Sequence, residues 1–241
     1  MGDQRHWLAG RVAVVTGGSR GIGAATAEAL AAAGAHVVLA ARNHDALASV
    51  ASHIRRSGGK AMPVPTDVSN ATDVDRLFTA AAQAGPLAAL VCSAGVLTPA
   101  PFAETTTEIW DETLAVNLTG AFLCCRAAFT AMLRSGEGRI VTISSLSGVY
   151  GTEKFPGLAA YNVSKYGIIG LTEAIAVEGR KHGISAICVS PGAVDTQMLR
   201  RANPQLRPGL TPADVAELIL ALLDSPLSPA SGANIPLFSN A

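Results

Sequence analysis

Two side chains in the stretch AAYNVSKYG (159–167) have the chemistry of an acid and of a charge that tunes it. Tyr161 and Lys165 are four residues apart, so on a helix they share a face about one turn from each other. Such pairs also arise on helix surfaces by chance, and the rest of the chain has to decide. A free phenol titrates near 10, too high for a good base near neutrality. A unit positive charge about 4 Å away is worth roughly 4 kcal/mol at an effective dielectric of 20. At about 1.36 kcal/mol per unit this lowers a phenol by up to about three units, and desolvation opposes it. The expectation is that Lys165 brings Tyr161 down toward working pH as a general acid/base.

A second group has a different chemistry. TGGSRGIG (16–23) spaces its glycines G-x-x-x-G-x-G, through Gly17, Gly21 and Gly23, with Ser19, Arg20 and Ile22 between them. This is not the G-x-G-x-x-G dinucleotide pattern, but glycines again permit a tight turn and close backbone approach, and a helix N-terminus attracts a pyrophosphate. About 20 residues further on, an acidic residue would hold the ribose 2′-hydroxyl of NAD. The chain has Ala41 and Arg42 there. Two guanidinium groups, Arg20 and Arg42, and no carboxylate suit a 2′-phosphate. The expected cofactor is therefore NADP rather than NAD; solvated surface arginines are the alternative.

These residues need elements to position them, and the chain supplies an alternation. Strand-like runs at 11–17, 36–41, within 60–68, 87–95, 139–145, 185–192 and near 233–238 are separated by helical patterns at 21–34, 43–58, 70–85, about 105–135, about 158–182 and 211–224. Continuous apolar strands between amphipathic helices argue for an α/β fold, a doubly wound (Rossmann) parallel sheet with helices on both faces. The 241 residues suit one catalytic domain over 1–241. Ligands in such sheets bind past the carboxyl ends of the strands, and Gly17, Asp67, Gly95, Ser145 and Gly192 fall there. The stretches 199–209 and 225–241 look like linkers, though neither divides domains.

Composition excludes several classes. Lys plus Arg and Asp plus Glu each number 18 and only 15% of residues are charged, so no field draws nucleic acid or an acidic membrane. No uninterrupted apolar stretch reaches the roughly 18 residues of a membrane span. The N-terminal 15 residues do not read as a leader peptide, and the myristoylation pattern at Gly2 fails. Cys92, Cys124, Cys125 and Cys188 form no C-x-x-C pair; they read as reduced core thiols of a cytoplasmic protein, and no metal site is expected.

TGGSRGIG, the strand-end Asp67-Val68, Ser93-Ala94-Gly95, Asn117, ISS (143–145), YNVSK (161–165) and PGAVDT (191–196) together resemble the short-chain dehydrogenase/reductases, in their short single-domain branch. The resemblance covers nearly the whole chain. It implies that Gly17, Gly21, Ile22 and Gly23 wrap the pyrophosphate, that Asp67 and Val68 meet the adenine, and that Ala94 and Gly95 pass the adenosine ribose. Pro191, Gly192, Val194 and Thr196 would hold the nicotinamide carboxamide. Ser145, Tyr161, Lys165 and Asn117 would form a catalytic tetrad, with Tyr161 and Lys165 also at the nicotinamide ribose and Asn117 positioning a water. Ser144 and Ser147 are rivals to Ser145, which is preferred for its place after the strand. The chain departs from the family at Cys92-Ser93, where two asparagines are common, and in a longer stretch between Ser145 and Tyr161.

The implied activity is hydride transfer between NADP and a small carbonyl or secondary alcohol. The alternatives are a 3-oxoacyl-[acyl-carrier-protein] reductase and, from another class, a non-catalytic dinucleotide-binding sensor or scaffold. Leu97, Leu146, Val149, Tyr150, Phe155, Ala193 and Met198 suggest an apolar pocket. Arg200, Arg201 and Arg207 read either as a docking patch for an acyl carrier or as a solvated loop. Helices near 117–134 and 161–182 carry more apolar residues than one sheet face needs, and relatives pair through such helices, so a homotetramer or homodimer is expected.

Overall fold

The computed structural model describes residues 7–224 and 228–239; the first six residues read above for a leader, and the outer parts of the tail, lie outside the described residues. The elements run β1 (Val12–Thr16), α1 (Gly21–Ala32), β2 (His36–Ala41), α2 (His44–Arg56), β3 (Lys60–Pro65), α3 (Ala71–Ala84), β4 (Leu87–Cys92), α4 (Thr107–Leu114), α5 (Gly120–Ser135), β5 (Gly138–Ile143), α6 (Ala159–Gly179), β6 (Ile184–Pro191), α7 (Gln197–Ala202), α8 (Pro212–Asp224) and β7 (Asn234–Leu237). The seven strands pair in the order β3-β2-β1-β4-β5-β6-β7, every pairing parallel. This is the doubly wound sheet the alternation implies.

Side-chain alternation along the strands feeds two cores. Ala13 and Val15 of β1 join Leu30, Leu47 and Ile219 of α1, α2 and α8. Val12 and Val14 join Leu77, Met132 and Ile168 of α3, α5 and α6. Because both faces are covered, β1 and β4 are buried along their whole length, which explains why they read as continuous apolar runs. Helices α2 and α3 start where a side chain satisfies a free N–H group: Asn43 accepts from the Ala46 N–H at 2.9 Å and Asn70 from that of Thr72 at 2.9 Å.

Two expectations need correction. The span 199–209 is not wholly a linker: Gln197–Ala202 form α7, started by Thr196, whose hydroxyl accepts from the Leu199 N–H at 3.2 Å. The stretch 107–135 is one helical rod, and an 18-residue window in it has a mean hydropathy of 1.4, long and apolar enough to cross a membrane by length and composition. In the fold its Cys124, Ala128 and Met132 are packed into the sheet, the position of a core helix. The rod is not uniform. Over Ala115–Thr119 it widens into a π turn, a local feature frequent at functional sites, and Asn117 lies in it.

Candidate active site

The carboxyl ends of the strands open into a cleft of about 1160 Å³. Its position, across the point where strand order reverses between β1 and β4, is where the connections diverge to opposite faces and leave room for a ligand. At one end lies the glycine turn. Gly17 has φ +67°, and a Cβ there would come within 2.8 Å of the Ser93 carbonyl and the Ala94 nitrogen. A Cβ on Gly23 would lie 2.3 Å from the Gly17 oxygen. Both contacts are below any real Cβ separation, so the start of α1 is drawn against the turn as only glycine allows. The ends of β1 and β4 are also tied directly, the Ala94 N–H donating to Thr16 Oγ1 at 3.2 Å.

Ser19, Arg20, Gly21, Ile22, Arg42, Asp67, Val68, Ser93, Ala94, Gly95, Pro191, Gly192, Val194 and Thr196 line the cleft together with Gly17. Gly23 does not line it and works from behind through the close packing just described. Arg20 reaches across the cleft, its Nη1 donating to Gln197 Oε1 on α7 at 2.8 Å. Asp67 accepts from the Ser69 hydroxyl at 2.7 Å and the Ser69 N–H at 3.0 Å. The Ser69 hydroxyl bond, with nearby Arg42 as a smaller contribution, holds its carboxyl below the ordinary range. These residues fit a phosphorylated dinucleotide: a cradle closed by missing side chains, a helix N-terminus and two guanidinium groups at one end.

The candidate reacting groups sit past β5. Ser145, Tyr161 and Lys165 all line the cleft. The Ser145 hydroxyl lies beside the Tyr161 phenol, near enough to favour its ionised form, and Lys165 Nζ stands 5.5 Å from the centre of the Tyr161 ring. Lys165 is 6% exposed, its ammonium donating to the Ile143 carbonyl at 2.9 Å. Burial pulls its pKa down to about 8. The expected lowering of Tyr161 by this charge is not what the structure gives: burial pushes the phenol up, and the neighbouring Ser145 hydroxyl opposes it only in part. Desolvation of the phenolate outweighs an ammonium held 5.5 Å from the ring and bonded elsewhere.

The rivals to Ser145 have other tasks. The Ser144 hydroxyl donates to the Lys165 carbonyl at 2.7 Å, fixing α6 against β5. Ser147 gives its N–H to Ser145 Oγ at 3.1 Å, which leaves the Ser145 hydroxyl proton to donate. Asn117, 1% exposed, does not line the cleft. Its Oδ1 accepts from the Val96 N–H at 2.8 Å, and its Nδ2 donates to the Val96 carbonyl at 3.0 Å and to Ser164 Oγ at 3.0 Å. Its side chain therefore positions the segment after β4 that carries Gly95, and a Cβ on Gly95 would lie 3.4 Å from Asn117 Oδ1 and 3.8 Å from Lys165 Nζ. Ser164, Gly148 and Gln197 were not singled out by sequence. Ser164 links Asn117 to the Tyr161 carbonyl, to which it donates at 2.7 Å. Gly148 lets the loop after Ser145 lie on α6, since a Cβ there would be 2.5 Å from the Lys165 carbonyl carbon. Only the small size of both residues beside the motif hinted at close packing.

A model of the short chain dehydrogenases matches residues 11–207. The chain belongs to the short-chain dehydrogenase family. It is thus an oxidoreductase of a family that uses a nicotinamide dinucleotide. Among this short-chain dehydrogenase's relatives is a 3-oxoacyl-[acyl-carrier-protein] reductase of Synechocystis sp., 38% identical over 200 residues, 82% of this chain and 80% of that protein. A glycine betaine reductase of Emericella nidulans is 37% identical over 91% of this chain, which matches 18% of that longer protein. Among solved structures, an NAD(P)-dependent gluconate 5-dehydrogenase described as putative, from Beutenbergia cavernae with bound NADP, superposes with a TM-score of 0.88 at 33% identity over 96% of each chain. A 3-oxoacyl-(acyl-carrier-protein) reductase of Agrobacterium tumefaciens with NADP bound gives 0.87 at 30% identity, covering 97% of this chain and 95% of that one.

Proposed function

We propose that the protein is an NADP-dependent carbonyl reductase working on a small-molecule ketone or aldehyde, with Tyr161 as its proton donor. The observation that carries this reading is that Ser145, Tyr161 and a buried Lys165 ammonium line the same cleft as a glycine turn bearing Arg20 and the strand end bearing Arg42. NADPH, when bound, supplies the hydride. The chain supplies the proton and the electrostatics. Burial keeps the phenol protonated at neutral pH, the state a donor needs. The carbonyl oxygen, as charge builds on it, takes the Tyr161 proton and a hydrogen bond from the Ser145 hydroxyl. Lys165, with its pKa at about 8, is mostly charged at neutral pH and stabilises the tyrosinate left behind. Arg20 and Arg42 recognise the 2′-phosphate, and the Ser19–Gly23 turn holds the pyrophosphate. Asp67 and Val68 form the adenine side, and Pro191, Gly192, Val194 and Thr196 the carboxamide side.

Absorbance of NADPH and of NADH, followed against ketones, aldehydes and oxoacyl thioesters, tests the reading. The expected result is turnover with NADPH preferred. Tyr161→Phe should lose roughly 10²–10⁴-fold in kcat while keeping its fold and its NADPH binding. Wild-type turnover in that variant would refute the scheme. A second reading, a 3-oxoacyl-[acyl-carrier-protein] reductase, is favoured by the Synechocystis relative, and carrier-bound thioesters turned over far better than free ketones would select it. The four described thiols are free and buried, which suits the reducing cytoplasm. The exposed apolar faces of α5 and α6 suit assembly into a homodimer or homotetramer.

A further inference from the structure

Resting on the reading just given, we propose that the substrate is an uncharged carbonyl compound with a bulky apolar flank, and that the site discriminates against carboxylate-bearing substrates such as sugar acids. The inference comes from where every charge near the cleft is. Arg20, whose guanidinium is bonded to Gln197 at the start of α7, and Arg42 belong to the glycine-turn end, with Asp67. Lys165 is turned to the Ile143 carbonyl beneath the tyrosine ring. On the other side of Tyr161, Glu153 is the one charged residue among the described lining residues.

The cations nearest that half are engaged elsewhere. Lys154, next to Glu153, does not line the cleft: its ammonium donates to the Leu146 carbonyl at 3.2 Å, the Val149 carbonyl at 2.6 Å and the Thr152 hydroxyl at 2.6 Å. All three of its donors are used to tie the loop after Ser145 into a fixed wall. Arg200 pairs with Asp195 at 2.6 Å. Arg201 and Arg207 are exposed and are not part of the lining. A carboxylate entering this half therefore loses water and meets no cation, an uncompensated desolvation, with the Glu153 charge repelling it besides.

What the half offers instead is apolar surface. Val149, Leu97 and Leu206 line its walls, and Tyr150, Phe155 and Phe238 stand around it, 92%, 42% and 59% exposed. Large exposed apolar side chains gathered at one opening mark a binding surface. They give area to an alkyl or aryl substituent projecting from the reacting carbonyl.

The experiment uses a matched pair, a medium-chain 3-oxo acid and its ethyl ester, with NADPH oxidation as the rate and calorimetric binding to the Tyr161→Phe protein as a readout free of turnover. The ester should exceed the acid in kcat/KM on the order of 100-fold, as expected for an unpartnered carboxylate losing water, and should bind more tightly to the unreactive variant. Equal or better turnover of the acid would overturn the proposal. Glu153→Lys, at an exposed position, should narrow the ratio; an unchanged ratio would overturn the charge assignment. If the protein binds NADPH yet reduces neither compound nor any other carbonyl, it is the reductase reading itself that fails.

Discussion

Lys165 is the residue whose burial has the clearest measurable consequence. An exposed lysine titrates near 10.4, and this one is brought down to about 8 by burial. Between about pH 8 and 10.4 the unfolded chain therefore binds a proton that the folded chain does not, so this group makes stability rise with pH across that window. Below about pH 8 both states are charged and the full cost of burying the ammonium is felt. Tyr161, Cys92, Cys124 and Cys188 are all raised; they hold protons in the folded state that the unfolded chain loses, and they lower stability above about pH 9. The window free of them is narrow. Melting temperatures of the unliganded protein and of Lys165→Met, compared from about pH 7.5 to 9, should move in favour of the wild type as pH rises. A difference that stays constant would mean the amine is not desolvated as the structure has it. Spacing raised the Tyr161–Lys165 pair only as a candidate, which the family resemblance then favoured, and the direction of the tyrosine shift was not legible: sequence gives the charge and its approximate reach, whereas desolvation depends on what packs over the ring.

At the scale of elements, the π turn over Ala115–Thr119 is what presents Asn117 to Val96. The asparagine mimics a strand neighbour, accepting from one backbone N–H and donating to one carbonyl of the same residue, where β4 has ended at Cys92. Asn117→Ala would leave both backbone groups without that partner, at a cost of about 3 kcal/mol, or roughly 6–12 °C in melting temperature for a chain of this size. Ser164→Ala, which removes a single bond to Asn117, should cost distinctly less. Equal losses in the two variants, by calorimetry, would show that the Val96 pairing contributes nothing. Sequence periodicity located the strands to within a few residues because each is a buried apolar run bounded by helix signals. It missed α7, a six-residue helix too short to show a period and followed by a stretch containing Pro204 and Pro208. It also missed the π turn, since a single extra residue per turn changes no residue type. Asn117 itself came from family resemblance, and its bonding became clear only once the fold brought Val96 and Ser164 beside it.

On the scale of the whole molecule, α5 and α6 cover one face of the sheet but leave apolar residues outward. Val163, Tyr166 and Val177 on α6 are 45%, 40% and 72% exposed, and Phe122 and Leu133 on α5 are 43% and 42% exposed. The spacings 163, 166, 170, 177 and 122, 126, 133 each follow one helix face. Between Val163 and Val177 stands Gly170, where an added Cβ would meet nothing within 4 Å. A glycine inside a helix costs about 1 kcal/mol relative to alanine, and nothing among the described residues of the subunit requires this one. A second copy of the α5–α6 face, packed backbone to backbone across Gly170, would both cover the apolar residues and account for the glycine. A self-complementary patch of this kind generates a two-fold dimer. The edge strand β7, with all four residues partly exposed, leaves an unpaired ladder through which two dimers can join as a tetramer. Light scattering coupled to size exclusion should therefore give a dimer or tetramer. Gly170→Lys, which places a charge in the middle of the contact without disturbing the subunit interior, should shift that protein toward monomer while its folded circular-dichroism spectrum is kept. A wild-type protein that elutes only as monomer, or a Gly170→Lys protein of unaltered mass, would remove the α5–α6 face as the interface and leave the exposed apolar residues of these two helices to be accounted for by some other partner.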